Sequence, residues 1–305
     1  METPGDNTFL PVCDYDLANT LTSGQAFRWR ERDGSWEGVI KNCWVRLRQR
    51  AEGIAAETAT PQKEWTWLSD YLQTDLDLNS VLLTFPDEEP MRTSVSACRG
   101  LRLLRQDPWE CLASFILSST KQIVQIQQIV GLLCERYGER LATPPGMAPV
   151  HSFPTAERLA TTTEGELRAC KMGFRAPNLL AAARRITCHE TDLHALRSCS
   201  FEEAREKLTG LPGVGPKIAN CVLLFAYGFQ QAFPVDVWVM KGLRQLYFPK
   251  RRPNPQRVRR FVATHFGPNS GYAQQYLFHY MRLQGRNKAG NKHRQSGGMH
   301  GSIVG

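Results

Sequence analysis

The apolar residues of this chain change period once, and that change limits the folds open to it. In the first third they alternate with charged residues. Ala26-Phe27-Arg28-Trp29-Arg30 is followed by Trp36 to Ile40 and Trp44 to Arg48, and Asp33-Gly34 marks a turn. Such alternation predicts an antiparallel sheet with one wet face. Thr60-Pro61 then opens a helical stretch with Trp65, Leu68 and Leu72 at helical spacing. From about Asp107 the period is helical. Asp107-Pro108-Trp109-Glu110 supplies a cap, a proline at the first helical position and an acidic third residue, and Leu112, Phe115 and Ile116 form the buried stripe. Ser118-Ser119-Thr120-Lys121 interrupts this helix before a second that runs to Tyr137-Gly138, and Thr143 to Gly146 is a loop. Short helices are expected around Glu164 to Lys171, Pro177 to Ile186 and Phe201 to Leu208. The expected fold class is α+β: an antiparallel α+β domain over residues 1–100 and an all-helical domain over 101–285. A basic tail over 286–305 lacks apolar periodicity and is expected to be disordered.

Charge and cysteine usage narrow the function. Lysine and arginine number 38 against 29 acidic residues, a net charge of +9, which suits a polyanionic partner such as nucleic acid or an anionic membrane surface. The start of the chain is polar and acidic, unlike a secretory signal. No apolar run approaches the roughly 20 residues of a membrane span. The nine cysteines are scattered from Cys13 to Cys221 with no C-x-x-C pair. That usage predicts reduced thiols inside a cell, and argues against a disulfide framework, a zinc site or an iron–sulfur cluster.

The most informative stretch is Leu211-Pro212-Gly213-Val214-Gly215-Pro216-Lys217, between two helices. Gly213, Val214 and Gly215 make a tight turn whose backbone N–H groups, with the positive end of the next helix, can seat a phosphate. A plain helical hairpin with a glycine cap uses the same residues. In the following helix Ile218, Cys221, Val222 and Phe225 recur as a core face, with Lys217 one turn from Cys221. A cation at a helix start does not complement the dipole. There, and in partial burial, the neutral amine is favoured, and a neutral amine is a nucleophile. The alternative is a lysine that extends to solvent. Asp236, in Phe233-Pro234-Val235-Asp236-Val237, precedes the apolar run Val237, Met240, Leu243, Leu246, Tyr247. By itself it reads first as a helix cap; the other reading is a carboxylate for acid–base work or for stabilising a developing cation.

A glycine-rich hairpin, a lysine, and Pro-Val-Asp ending nineteen residues later resemble the helix-hairpin-helix–Gly/Pro/Asp glycosylase superfamily. Thr22 to Arg30, Leu103 to Pro108, Phe115 to Ser119 and Gly271-Tyr272-Ala273-Gln274 narrow the likeness to 8-oxoguanine DNA glycosylases of the eukaryotic type, from about residue 9 to 284. The resemblance implies that the damaged base flips out of the duplex into a pocket. Lys217 would attack the anomeric carbon and form a Schiff base, with strand scission by β-elimination, and Asp236 would stabilise the sugar cation. Phe278 and Cys221 would sandwich the purine, and Gln274 would read its Watson–Crick edge. The carbonyl of Gly24 would accept the extra N7 proton that separates oxidised from normal guanine. On residues alone, Phe278 is equally a core aromatic and Gly24 a turn glycine. The implied chemistry needs no metal cofactor, though hairpin carbonyls could hold a structural cation. The implied partner is double-stranded DNA bearing oxidised guanine, met by a monomer in a bacterial nucleoid or a eukaryotic nucleus.

Departures from the family pattern fall in two places, among the residues toward the opposite strand and in a phosphate-side pair. Thr120 and Gln125 stand where the family has an asparagine and an arginine that fill the gap and read the orphaned cytosine. Arg175 keeps its place, beside Phe174 where a tyrosine is usual. A histidine and its aspartate partner are replaced by Trp238 and Met281. Loss of a bidentate reader, worth about 1–3 kcal/mol, predicts relaxed choice of the opposite base. Two rival functions share the scaffold. A monofunctional glycosylase for alkylated bases needs Asp236 but no lysine, and a non-catalytic damage-binding protein needs neither.

Overall fold

The computed structural model describes residues 5–250 and 253–297, the side chains of 286–297 excepted. Five strands, β1 (Asp6–Pro11), β2 (Arg30–Arg32), β3 (Ser35–Ile40), β4 (Cys43–Arg50) and β5 (Gly53–Thr58), form one antiparallel sheet in the order β1-β5-β4-β3-β2. Asp33 and Gly34, both at positive φ, close the tight β2–β3 turn, as the twist of a two-residue hairpin requires. Alternation divides the faces as expected. Val45, Leu47, Ile54 and Ala56 are buried against Leu17, Leu21, Leu68 and Leu72. On the other face Arg46 lies 3.0 Å from both Glu37 and Glu57, its cross-strand neighbours in register.

Two features of the sheet differ from expectation. Strands β1 and β5 complete it, though their patterns are too short and mixed to stand out. Ala26 to Trp29 are not a strand. Phe27 turns into the helical core against Phe115, with ring centroids 5.6 Å apart, while the Trp29 indole donates to the Tyr71 hydroxyl at 3.0 Å on the sheet side. The alternation there serves two cores, not two faces of one sheet.

The helical part is built around α1 (Pro108–Leu117), where every residue from Cys111 to Leu117 is buried, as a central helix must be. Asp107 caps it by accepting from the Glu110 N–H at 2.9 Å. Around it stand α2 (Ile123–Tyr137), α3 (Ala176–Thr187), α4 (Phe201–Thr209) and α5 (Pro216–Val222), the last widening into a π turn over Leu223–Tyr227. Then come α6 (Val237–Gly242), widening over Leu243–Tyr247, α7 (Pro255–His265) and α8 (Ser270–Gly297). The helical core also takes in Leu78, Val81, Met91 and Cys98, while Leu104 packs with the sheet.

α8 is tied to the rest of the chain. Tyr272 accepts from the Leu103 N–H at 3.1 Å, Tyr276 donates to the Leu101 carbonyl at 3.1 Å, and Gln275 donates to the Ser23 carbonyl at 3.0 Å. The expected disorder from Arg286 is corrected. α8 continues as helix to Gly297, because a helix nucleated by its buried half extends at small cost per residue. Residues 298–305 lie outside the described residues. Among the described residues no helix is long and apolar enough to cross a membrane.

Candidate active site

The hairpin forms because its apolar residues are buried while its glycines stay outside. Leu208, Leu211, Val214 and Ile218 are buried; Gly213 and Gly215 are exposed. Gly213 has φ +76°, and a Cβ there would lie 2.7 Å from Asn178, so the turn admits only glycine without strain. Gly215 is extended, Pro216 starts α5, and no side chain caps that terminus. The first-turn N–H groups of α5 are therefore left for an external acceptor, the physical requirement of a phosphate seat.

Lys217 lies in the first turn of α5, half-buried. Its Nζ donates to Ser118 Oγ at 3.0 Å and sits 5.3 Å from the centre of the Phe115 ring. Both partners belong to the end of α1, which α5 packs against. Asp236 caps α6, accepting from the Val239 N–H at 2.8 Å. Burial pushes its carboxyl above the usual range, opposed by the Val239 hydrogen bond and by the charges of Lys217 and Arg282. The cap reading and the chemical reading of Asp236 thus hold together. Asn220, on α5, donates to the Phe233 carbonyl at 3.2 Å and so fixes the Phe233–Asp236 segment beside the lysine. Cys221, one turn along, is buried. Burial lifts its thiol to about 11 despite Lys217 nearby, so at neutral pH it presents an uncharged sulfur.

The other half of the site joins two segments 250 residues apart in sequence, at Gly24 and Gln274. Gly24 has φ +78°, and a Cβ on it would meet Ile123 Cδ1 at 2.7 Å and both Phe278 and Arg282 at 3.4 Å. Its loop is held by the buried Gln25, whose amide donates to the Arg102 carbonyl at 2.8 Å and the Thr20 carbonyl at 2.9 Å, and accepts from the Leu104 N–H at 2.8 Å. Gln274 and Phe278 lie one turn apart on α8. Gln274 is 3% exposed, and its Oε1 has no hydrogen-bond partner among the described residues. An orphaned buried acceptor is costly, and a ligand edge that donates to it would relieve that cost. Arg282 joins the halves: it lies 5.4 Å from the Phe278 ring centre, donates to the Thr22 carbonyl at 3.1 Å and favours the charged Asp236. Sequence reasoning missed Ser118, Asn220, Arg282 and the role of Gln25. Only the position of Arg282, one turn after Phe278, offered a signal.

The three expected opposite-strand residues have other engagements. Arg175 is buried, donating to the Ser119 carbonyl and, at 2.5 Å, to Thr120 Oγ1, with its guanidinium 4.2 Å from the Phe174 ring. Thr120 is exposed at φ +57°. Gln125 accepts from the Gln122 N–H at 3.0 Å in a capping box that starts α2. Phe174 and Val237 are exposed, at 60% and 79%. Val237, the first member of its apolar run, stands at the first position of α6 and is turned outward. Trp238 lies against Gly285 and Lys241, and Met281 against Gly242.

An antiparallel sheet beside a helical hairpin, with a lysine at the hairpin's helix start and a helix-capping carboxylate near enough to feel its charge, defines the class: a base-excision DNA glycosylase scaffold. Residues 9–112 match the 8-oxoguanine DNA glycosylase N-terminal domain, and residues 113–268 match the HhH-GPD superfamily base excision DNA repair proteins. The chain belongs to the 8-oxoguanine DNA glycosylase family of that superfamily. It is 30% identical to a probable N-glycosylase/DNA lyase of Methanothermobacter thermautotrophicus, over 90% of this chain and 96% of the relative. It is 31% identical to the N-glycosylase/DNA lyase OGG1 of Arabidopsis thaliana, over 86% and 76%. Among solved structures, the Clostridium acetobutylicum 8-oxoguanine glycosylase/lyase bound to double-stranded DNA with cytosine opposite 8-oxoguanine superposes with TM-score 0.84 at 30% identity, covering 93% of this chain and all of that one. A 3-methyladenine DNA glycosylase from Archaeoglobus fulgidus, at TM-score 0.76 and 21% identity over 90% and 98%, shares the fold.

Proposed function

We propose that this protein is a bifunctional glycosylase/lyase that excises 8-oxoguanine from duplex DNA. One observation carries the reading: Asp236, the cap of the helix that follows the hairpin, feels the charge of the half-buried Lys217, and Arg282, which also acts on Asp236, lies against Phe278 and Gly24. The hairpin seats a backbone phosphate and the damaged nucleotide swings out. Phe278 and the uncharged Cys221 sulfur stack on the base, Gln274 pairs with its Watson–Crick edge, and the Gly24 carbonyl accepts the N7 proton. Normal guanine presents a lone pair there and is repelled.

The Nζ lone pair of Lys217 bonds to C1′ while the C1′–N9 bond breaks, its electron pair leaving with the base. Asp236 stabilises the positive charge on the sugar. The new amine sheds a proton to the departing base. The ring oxygen then leaves C1′ as the iminium forms, taking a proton from water, and loss of a C2′ proton to water expels the 3′ phosphate. A monofunctional enzyme needs no such amine, so Lys217 favours the bifunctional reading. Because Arg175 is turned inward and Gln125 caps its own helix, discrimination for cytosine opposite the lesion is expected to be weak. We infer that the protein works as a monomer wherever the genome lies, the nucleoid of a bacterium or the nucleus of a eukaryote.

Borohydride trapping on four 8-oxoguanine duplexes, differing only in the opposite base, tests both claims. The wild type should give a covalent adduct on all four within about tenfold of one another, and Lys217→Gln should give none. An adduct with Lys217→Gln sinks the mechanism. A cytosine preference of a hundredfold or more sinks the relaxed pairing.

A further inference from the structure

We propose that Ser118 is a positioning residue for the nucleophile: it directs the free electron pair of Lys217 at the sugar. This rests on the reading of Lys217 given above. The Ser118 hydroxyl has one proton, and it is committed to the Phe115 carbonyl at 2.7 Å. Toward Lys217 Nζ, 3.0 Å away, its oxygen therefore acts as an acceptor and takes one N–H of the amine. The Phe115 ring lies on another side, its centre 5.3 Å from Nζ, so a second N–H can turn to its electron-rich face. A neutral primary amine has two N–H bonds and one lone pair. With both bonds so directed, the lone pair takes the remaining tetrahedral direction, away from α1.

The support for this geometry is rigid. The Phe115 ring is 4% exposed and held on two sides, stacked on Phe225 at 5.6 Å and edge-on to Phe27 at 5.6 Å. Ser118 ends α1, the most completely buried helix of the molecule among those described. A reacting atom held from two directions by an immobile wall is pre-oriented for attack, and misplacement by about 1 Å can cost on the order of a hundredfold in rate.

Ser118→Ala removes the acceptor and leaves Lys217, Asp236 and the base pocket in place. Under single-turnover conditions its excision and borohydride-trapping rates should fall by about 10- to 100-fold. Affinity for the lesion duplex should stay within about twofold, and Ser118→Thr, which keeps a hydroxyl at an αR backbone position, should restore the rate. A wild-type rate in Ser118→Ala overturns the inference. So does an equal loss in Ser118→Ala and Ser118→Thr accompanied by a lowered melting temperature, which marks a packing role only. Lys217→Gln, run in parallel, separates this from failure of the underlying reading, because trapping by that variant removes Lys217 itself from the reaction.

Discussion

Asp236 shows how one residue can serve folding and chemistry with opposite energetic signs. As the cap of α6 it accepts the Val239 N–H, which stabilises. As a carboxyl raised by burial it binds its proton more tightly in the native than in the unfolded chain. Its contribution to stability is therefore greatest when protonated at low pH, and is lost as pH rises through the raised native value. At neutral pH the ionised form is carried at a cost, as expected of a group kept for electrostatic work. Asp236→Asn keeps a good cap and removes the charge. Its melting temperature at pH 7 should equal or exceed that of the wild type, while excision drops by about 10²- to 10³-fold. A variant that melts well below the wild type, or that retains activity, contradicts this account.

The hairpin is the element whose local chemistry decides its function. Gly213 occupies a left-handed conformation and faces Asn178 with no room for a Cβ, so the turn cannot tolerate a side chain without moving the N–H groups that open α5. A left-handed backbone at a residue other than glycine costs about 1–2 kcal/mol, close to a tenfold change in an equilibrium constant. Gly213→Ala should therefore weaken binding to lesion and undamaged duplexes alike by about tenfold. The ratio between them should not change, because the phosphate seat carries no sequence information. Fluorescence anisotropy on matched duplexes measures both. A selective loss for the lesion duplex would show that the hairpin acts on the base pocket instead.

At the scale of the whole molecule, the sheet domain does more than add bulk. Its loop through Ser23, Gly24 and Gln25 is bonded to α8 and to the segment 101–104, which brings Gly24 onto Phe278. The net charge of +9 sets the long-range term. If the bound surface neutralises about six phosphates, affinity should fall roughly 10³-fold between 50 and 200 mM salt, with a log–log slope near −5. A slope near zero would mean that the basic surplus does not face DNA.

The sequence alone determined what local physics controls. A period of two gave the wet-faced sheet, a period of 3.6 gave the helices, and Asp107, Gly213 and Pro216 marked where helices begin and turn, because caps and left-handed turns act over a few residues. The motifs also named Lys217 and Asp236 and, through family resemblance, Gly24, Cys221, Gln274 and Phe278. Local pattern misread Ala26 to Trp29 as a strand, and gave no sign that Arg175 folds inward onto Thr120 or that Gln125 caps α2. Tertiary structure alone decided that Ser118 meets Lys217, that Asn220 fixes the Asp236 segment and that Arg282 bridges two halves of the site. Those contacts join residues far apart in the chain, and no periodicity records a side chain whose partner is supplied by another element.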